Sequence, residues 1–249
     1  MQAPYNPLEP SPPLREQVYF ALEELILEGH LPPGHRLVES DLANHLQVSR
    51  GPIREALQLL ERDGWIEVRP RRGAYVRIPS EAELDEFFRA RTLLETEAAR
   101  LAARRVRRDP GGTSGTLEHL RQTLNRSASL SYELPDELSS TDTTLPALES
   151  RRHYRETSRN FHRTIVLLSG NTALADTLEY VMRRTRWWFA SSMAVHRNSR
   201  RDEHYHLLDA IAEGDDDDAA EAMQHHLNQL RLASLEALRH EMTHVSADD

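Results

Sequence analysis

Residues 48–77 read VSRGPIREALQLLERDGWIEVRPRRGAYVR, and two different periods meet inside them. Ile53, Ala56, Leu57 and Leu60 recur at three- and four-residue steps, which predicts a helix over residues 50–63 with one apolar face. Ser49 stands at the expected N-cap, and Pro52 falls in the first turn, where its missing N–H costs little. With the apolar stripe turned inward, Arg50, Gly51 and Arg54 face outward at the N-terminal end. From Trp65 the period becomes two. Trp65–Val68 and Ala74–Arg77 predict short strands around Arg69-Pro70-Arg71-Arg72-Gly73, a hairpin signature. Residues 47–77 hold seven arginines against four acids, and residues 69–77 hold four arginines and no acid.

A second short helix is expected just upstream, over residues 39–46, with Leu42, Ala43 and Leu46 receiving the stripe across a Gln47-Val48-Ser49 turn. A recognition helix reads base edges with its N-terminal end in the major groove, where arginine makes bidentate contacts to guanine. Small Gly51 permits close approach there. Arg69, Arg71, Arg72 and Gly73 at the hairpin tip are then a wing against phosphates or the minor groove. The competing reading is a solvated arginine face on an ordinary α+β module. Helix pair, cap and charged hairpin occurring together favour double-stranded DNA. Further upstream, Leu14, Val18, Ala21, Leu22, Leu25 and Ile26 keep helical spacing up to Gly29 and the Pro32-Pro33-Gly34 turn. Residues 1–13 carry five prolines and read as a flexible leader. The winged module therefore spans 14–78, and Pro79-Ser80 marks its end.

Leu31-Pro-Pro-Gly-His-Arg-Leu37, Glu39-Ser-Asp-Leu-Ala43, Val48 to Leu57 and Leu60-Glu-Arg-Asp-Gly-Trp-Ile-Glu-Val68 together resemble the winged helix of GntR-family bacterial transcription regulators. The resemblance covers 14–78 almost without a gap. It implies that Arg50, Arg54 and Gly73 fall on operator-contacting positions. Ser40 stands where many members carry arginine, which implies a weaker backbone contact at that point.

Beyond Ser80 the chain reads as an all-α bundle over 80–240, followed by a tail over 241–249. A long helix is expected from about Glu81 to Arg107, with Leu84, Phe87, Phe88, Arg91, Leu94 and Ala98 near one face. Asp109-Pro110-Gly111-Gly112 is expected to break it, and a short helix follows over about Leu117–Leu124. Residues 127–148, rich in Ser, Thr, Asp and Pro, read as a loop insertion. Helix resumes at about Glu149, with breaks at Gly170-Asn171, His196–Asn198 and Glu213-Gly214.

Among thirteen histidines, three share faces with apolar residues. His204 lies with Leu208 and Ile211, His226 with Ala219, Ala222, Met223 and Leu230, and His162 with Ile165 and Ser169. Any one alone reads as a hydrogen-bonded core histidine. Three on three helices point to a divalent metal, Zn2+ or another, in the bundle. Ser158-Arg-Asn-Phe-His162, Ser169-Gly-Asn171, Glu203-His204 with Leu207–Ile211, Gly214-Asp215, Met223–Leu227 and Arg91-Thr-Leu-Leu-Glu95 resemble the FadR-type (FCD) effector domain that follows this winged helix. In metal-binding members an Asp four residues before the first His joins three His as ligands. That position is Ser158 here, a poor replacement for a carboxylate, and Glu156 faces the wrong side. The resemblance implies a metal held by His162, His204 and His226, with water or an effector carboxylate completing the sphere. It places Arg91 and Asn171 at the effector pocket. For Arg91 two partners remain open, an effector carboxylate or an acid of the bundle. Asp215–Asp218 read as anions favoured at a helix N-terminus rather than a cation site, and Trp187-Trp188-Phe189 as lining for a cavity or subunit interface.

Composition bounds the rest. The chain has 249 residues, net charge −9 and no cysteine, which excludes disulfides, thiolate nucleophiles and Cys-ligated metal. No apolar run approaches the roughly 18 residues of a membrane span, so the expected location is cytoplasmic. All 31 basic residues are arginine; the first 79 residues carry net −2 and the remainder −7, so the acid lies mainly in the bundle. The expected function is a ligand-responsive repressor, a homodimer on a palindromic operator, modulated by a small carboxylate. The alternatives are a metal-free fatty-acyl effector regulator and a three-His metallohydrolase. The enzyme lacks support, because no His-Glu-x-x-His segment or suitable carboxylate pair occurs.

Overall fold

The helix that opens at Arg50 organises the first of two units, Met1–Ile78, in a computed structural model that describes residues 12–78, 80–131, 145–192 and 197–245. The unit runs α1 (Leu14–Leu27), β1 (Arg36–Leu37), α2 (Glu39–His45), α3 (Arg50–Arg62), β2 (Ile66–Arg69) and β3 (Gly73–Val76). Ile53, Ala56 and Leu60 of α3 are fully buried, Leu57 nearly so, and they meet α1 and α2. Burial of a side chain such as Ile53 or Leu60 contributes about 1.5–3 kcal/mol. Leu42 and Ala43 are buried as expected, whereas Leu46 is only half-buried. Tyr19 of α1 donates to the carboxylate of buried Asp63 at 3.0 Å and ties α1 to the end of α3.

Ser49 has the extended backbone of an N-cap, but its hydroxyl makes no capping hydrogen bond. Pro52 and the packed stripe hold that helix start instead. The sheet contains a strand the periodicity did not show. β1 has two residues, too few for alternation, and pairs antiparallel with β3 (Arg36 opposite Tyr75, Leu37 opposite Ala74), giving the order β1-β3-β2. The hairpin β2–β3 closes Arg69 opposite Gly73.

Between α2 and α3 the chain turns through Gln47 at φ 55°, with the Val48 N–H reaching back to the Ala43 carbonyl at 3.1 Å. This helix ending favours glycine at the left-handed position, and α3 ends the same way on Gly64. Gln47→Gly is therefore expected to raise stability by about 0.5–1 kcal/mol, partly offset by loss of the Gln47–Asn44 hydrogen bond. A denaturant titration with unchanged slope would show it.

The second unit, Pro79–Asp249, is all helical among its described residues: α4 (Glu81–Arg108), α5 (Pro110–Ser131), α6 (Leu145–Leu168), α7 (Thr172–Ser192), α8 (Arg197–Glu213) and α9 (Asp216–Val245). Ser80 and Glu83 form a reciprocal capping box at the start of α4. α4 is the axis of the unit and touches each of the other five helices. Its Ala98, Ala99, Ala102 and Ala103 are fully buried, and their small side chains let neighbours come close. The core joins Leu84 and Phe88 to Leu120, Phe161, Ile165, Leu208, Ile211, Met223 and Leu227.

Four boundaries differ from the sequence reading. Asp109-Pro110-Gly111-Gly112 ends α4 but also begins α5, which is long rather than short. The Asp109 carboxylate accepts the Gly112 N–H at 3.0 Å, Pro110 occupies a first-turn position, and a Cβ at Gly112 would collide with that carboxylate. The same four residues thus act as a stop and a start. The proposed 127–148 loop is helical at both ends, to Ser131 and from Leu145, and its middle, 132–144, lies outside the described residues. The expected break at 196–198 starts helical at Arg197, with 193–196 outside the described residues. The tail is helical to Val245. Most of the leader and the side chains of Trp187-Trp188-Phe189 also lie outside the described residues.

Arg104 and Arg107 of α4 grip Asp216 at the start of α9, at 2.6 and 2.8 Å, and Arg107 also donates to the Gly214 carbonyl. A Cβ at Gly214, at φ 74°, would lie 2.9 Å from the Arg107 Cβ, so glycine permits this contact. Hydrogen bonds from Arg104 and then Arg107 hold the Asp216 carboxyl at about 2 against its ordinary 3.8. A carboxyl lowered on folding stabilises above its unfolded value and loses that contribution as pH falls through the folded one. The thermal midpoint is therefore expected to drop between about pH 4 and pH 2, and Asp216→Asn to flatten part of that drop in a series of melts. The Asp215–Asp218 run serves in this way as a helix-terminal anion cluster.

Candidate DNA interface and histidine centre

At the N-terminal end of α3, Arg50 and Gly51 are exposed, and a Cβ at Gly51 would meet nothing within 4 Å. Arg54 is exposed too, but Glu39 of α2 holds its Nε at 2.7 Å. The carboxylate fixes the direction of a side chain that would otherwise be free to sweep. In the hairpin, Arg69 is held by Glu67 at 2.7 Å and lies over the Tyr75 ring, 4.4 Å from its centroid. Arg71 at the tip has φ 63°, and Arg72 is exposed, with its carbonyl accepting the Tyr75 hydroxyl at 3.3 Å. Gly73, at φ 103°, lies beneath the Arg36 guanidinium, 3.6 Å from where a Cβ would sit. Arg36 is a cation of this face that the sequence reading missed. Its position became visible only with strand β1, which lays it beside Tyr75. Ser40 donates to Asp41 at 3.1 Å.

In the helical unit, His162 of α6, His204 of α8 and His226 of α9 come together, all buried, with ligand atoms within 4.8 Å of one another. The Nε2 of His226 lies 3.2 Å from the Nε2 of His162 and 3.3 Å from that of His204. Behind the rings stand two carboxylates. Glu95 of α4 meets the Nδ1 of His162, and Glu203 of α8 meets the Nδ1 of His226 at 2.7 Å. Burial works to raise the Glu95 carboxyl, but adjoining Arg91 and His162 outweigh it and hold it at about 2. An ionised carboxylate only accepts, so the His162 Nδ1 donates to Glu95, and its Nε2 is the ring nitrogen turned toward the other histidines. At His226 the Nδ1 likewise faces a carboxylate, Glu203, and the Nε2 faces inward.

The inward Nε2 atoms of His162 and His226 stand 3.2 Å apart, close enough to share one cation. Zn–N bonds of about 2.0–2.1 Å at tetrahedral angles place ligand nitrogens about 3.3–3.4 Å apart, so the donor set fits such an ion. Ser158, one turn before His162, is buried on α6. Glu156 is exposed and pairs with Arg152 at 3.5 Å, away from the cluster.

Arg91 has a partner within the bundle, since its Nε donates to Glu95. Arg91, Glu95, His162, His226 and Glu203 thus form one polar chain through the core. Asn171 is exposed at the α6–α7 turn, where its side chain caps α7 by accepting the Leu174 N–H at 3.1 Å. The structure does not bring it to the histidines. Glu95 and Glu203 lie inside the segments Arg91–Glu95 and Glu203-His204 that carry the family resemblance, but only the folded helices bring them to the histidines.

Residues 14–76 match the family model of the bacterial regulatory proteins of the gntR family, and residues 86–229 match that of the FCD domain. The chain belongs to the GntR family of transcription regulators, with an FCD domain. It is 27% identical over 228 residues to the HTH-type transcriptional repressor RspR of Escherichia coli K12, covering 90% of each chain. It is likewise 27% identical over 219 residues to the Nta operon transcriptional regulator of Aminobacter aminovorans, covering 87% of this chain and 92% of that one. The fold of E. coli McbR/YncC superposes with a TM-score of 0.67 at 22% identity, covering 88% of this chain and 95% of that one. The protein is a DNA-binding transcription regulator and not an enzyme. No described helix is long and apolar enough to cross a membrane.

Proposed function

We propose that the protein is a homodimeric repressor of a palindromic operator, whose affinity is set by a small carboxylate metabolite bound in the helical unit. The observation that supports the effector half is the convergence of three buried Nε2 atoms, two of them backed by carboxylates. Carboxylate–histidine pairs of this kind fix ring orientation and raise the basicity of a metal ligand. His162, His204 and His226 would hold a divalent metal, which when bound supplies a positive centre for an effector carboxylate. Ser158 leaves a neutral group where metal-binding relatives carry Asp, so the site has a coordination position and a charge to spare for that carboxylate. Arg50, Gly51, Arg54, Arg69, Arg71, Arg72 and Gly73 form the DNA face, with α3 for bases and the hairpin for backbone. A two-fold dimer matches half-sites about one helical turn apart. Effector binding shifts operator affinity only by its differential affinity for the two states of the dimer.

The same Ser158 favours one second reading, a metal-free core that takes a longer acyl ligand. Selection from a random duplex pool, followed by anisotropy titrations of the selected duplex, tests the proposal. A two-fold symmetric site is expected, with affinity that changes when metal and a dicarboxylate are both added. An unsymmetrical single half-site would contradict the dimer. An affinity indifferent to metal would contradict the metal-dependent effector.

A further inference from the structure

A second feature of the helical unit is a cleft of about 370 Å³ between α5 and α6. His119, Thr123 and Arg126 stand on one face of α5, and Asn160, Arg163 and Thr164 on the facing side of α6. These are spacings of three, four and seven residues that align side chains along a helix. No carboxylate lines it among the described residues. Elsewhere in this unit most described arginines are ion-paired: Arg89, Arg100, Arg104, Arg107, Arg121, Arg231 and Arg239 each hold an acid. Arg126 and Arg163 hold none among the described residues. In a chain of net charge −9, two arginines with no acid partner among the described residues, brought to one concavity, are a local reversal of sign.

The donors are suited to oxygen acceptors. Arg126 and Arg163 offer planar N–H forks, and Asn160 and Thr164 add neutral donors. Thr123 adds only acceptor capacity, because its hydroxyl proton is already given to the His119 carbonyl at 2.8 Å. The floor is apolar, made by buried Leu120 and Phe161. Phe161 has a second neighbour on its far side: its ring lies 4.5 Å, centroid to centroid, from that of His204, and edge-on to His162. One aromatic ring therefore separates the cleft from the histidine centre.

We infer that the α5–α6 cleft is a second binding site, distinct from the histidine centre, for a small dianion with oxygen acceptors, which Arg126 and Arg163 grip from opposite walls. Phosphate and dicarboxylate share this chemistry, so both are used as probes: inorganic phosphate and succinate, titrated calorimetrically into the full-length, untagged protein. Saturable binding of either is expected, weakened at least about tenfold by Arg126→Ala and by Arg163→Ala, as for hydrogen bonds to charged groups. Arg→Lys at either position is expected to retain part of the affinity. His226→Ala disables the histidine centre and is expected to leave this binding intact, which separates the cleft from the effector site proposed above. Circular dichroism confirms that each variant is folded. The inference is overturned if neither anion binds saturably. It is equally overturned if the Arg126→Ala/Arg163→Ala double variant binds like wild type, or if His226→Ala abolishes binding while the double variant retains it.

Discussion

Arg50→Ala is expected to lower operator affinity by about 10- to 100-fold at fixed salt, and to relax discrimination at a single base pair. Arg50 is exposed at the opening of α3, beside Gly51, with no ion pair among the described residues. With no internal ion pair to break, a guanidinium in that position would be available for a bidentate contact to guanine. Arg54→Ala is expected to weaken binding as well, and Glu39→Gln to weaken it less, because Glu39 only orients Arg54. Wing substitutions behave differently. Arg72→Ala should weaken all sequences nearly equally and reduce the salt slope by about one, the signature of a lost phosphate contact. Mobility-shift titrations on cognate and single-base-altered duplexes distinguish the two patterns. If Arg50→Ala and Arg54→Ala both leave the titration unchanged, α3 does not read bases.

Glu95 is where the second large effect is expected. Its carboxylate is fully buried between Arg91 and His162, and both depend on it. Glu95→Leu removes the partner of a buried cation and is expected to cost about 3–5 kcal/mol of stability. Glu95→Gln keeps shape and an acceptor for the His162 Nδ1–H but removes the charge. It is expected to lose less stability and to lower metal affinity about 10- to 100-fold, as for other carboxylates behind a ligating histidine. Glu203→Gln tests the same logic at His226, where the carboxylate is partly exposed and the stability cost correspondingly small. Competition against a chromophoric chelator, with thermal melts alongside, reads affinity and stability separately.

Much of this was legible in the residues. The stripe Ile53–Leu60 and the RPRRG hairpin specified the winged unit, because burial on one helix face and alternation in a strand leave strong periodic marks. His162, His204 and His226 were legible for the same reason: each polar ring sits on a face otherwise apolar. What was hidden was either too short or too distant. β1 is two residues, and Arg36 joins the wing only through its pairing with β3. Glu95 reaches His162 across 67 positions, and no local pattern announces such a bond. Asp109–Gly112 was half read, since turn residues that stop one helix can cap the next. Asn171, which the family resemblance places at the effector pocket, caps α7, a role Asn fills readily.

The measurement that bears most directly on the histidine centre is the metal content of untagged protein, with His204→Ala and His226→Ala beside it, followed by operator titration of the same samples. About one divalent ion per chain is expected in wild type and none in either variant, with operator affinity responding to a dicarboxylate only in the loaded protein. Wild-type protein that stays empty in excess zinc, or that responds to the dicarboxylate equally well without metal, would contradict the account.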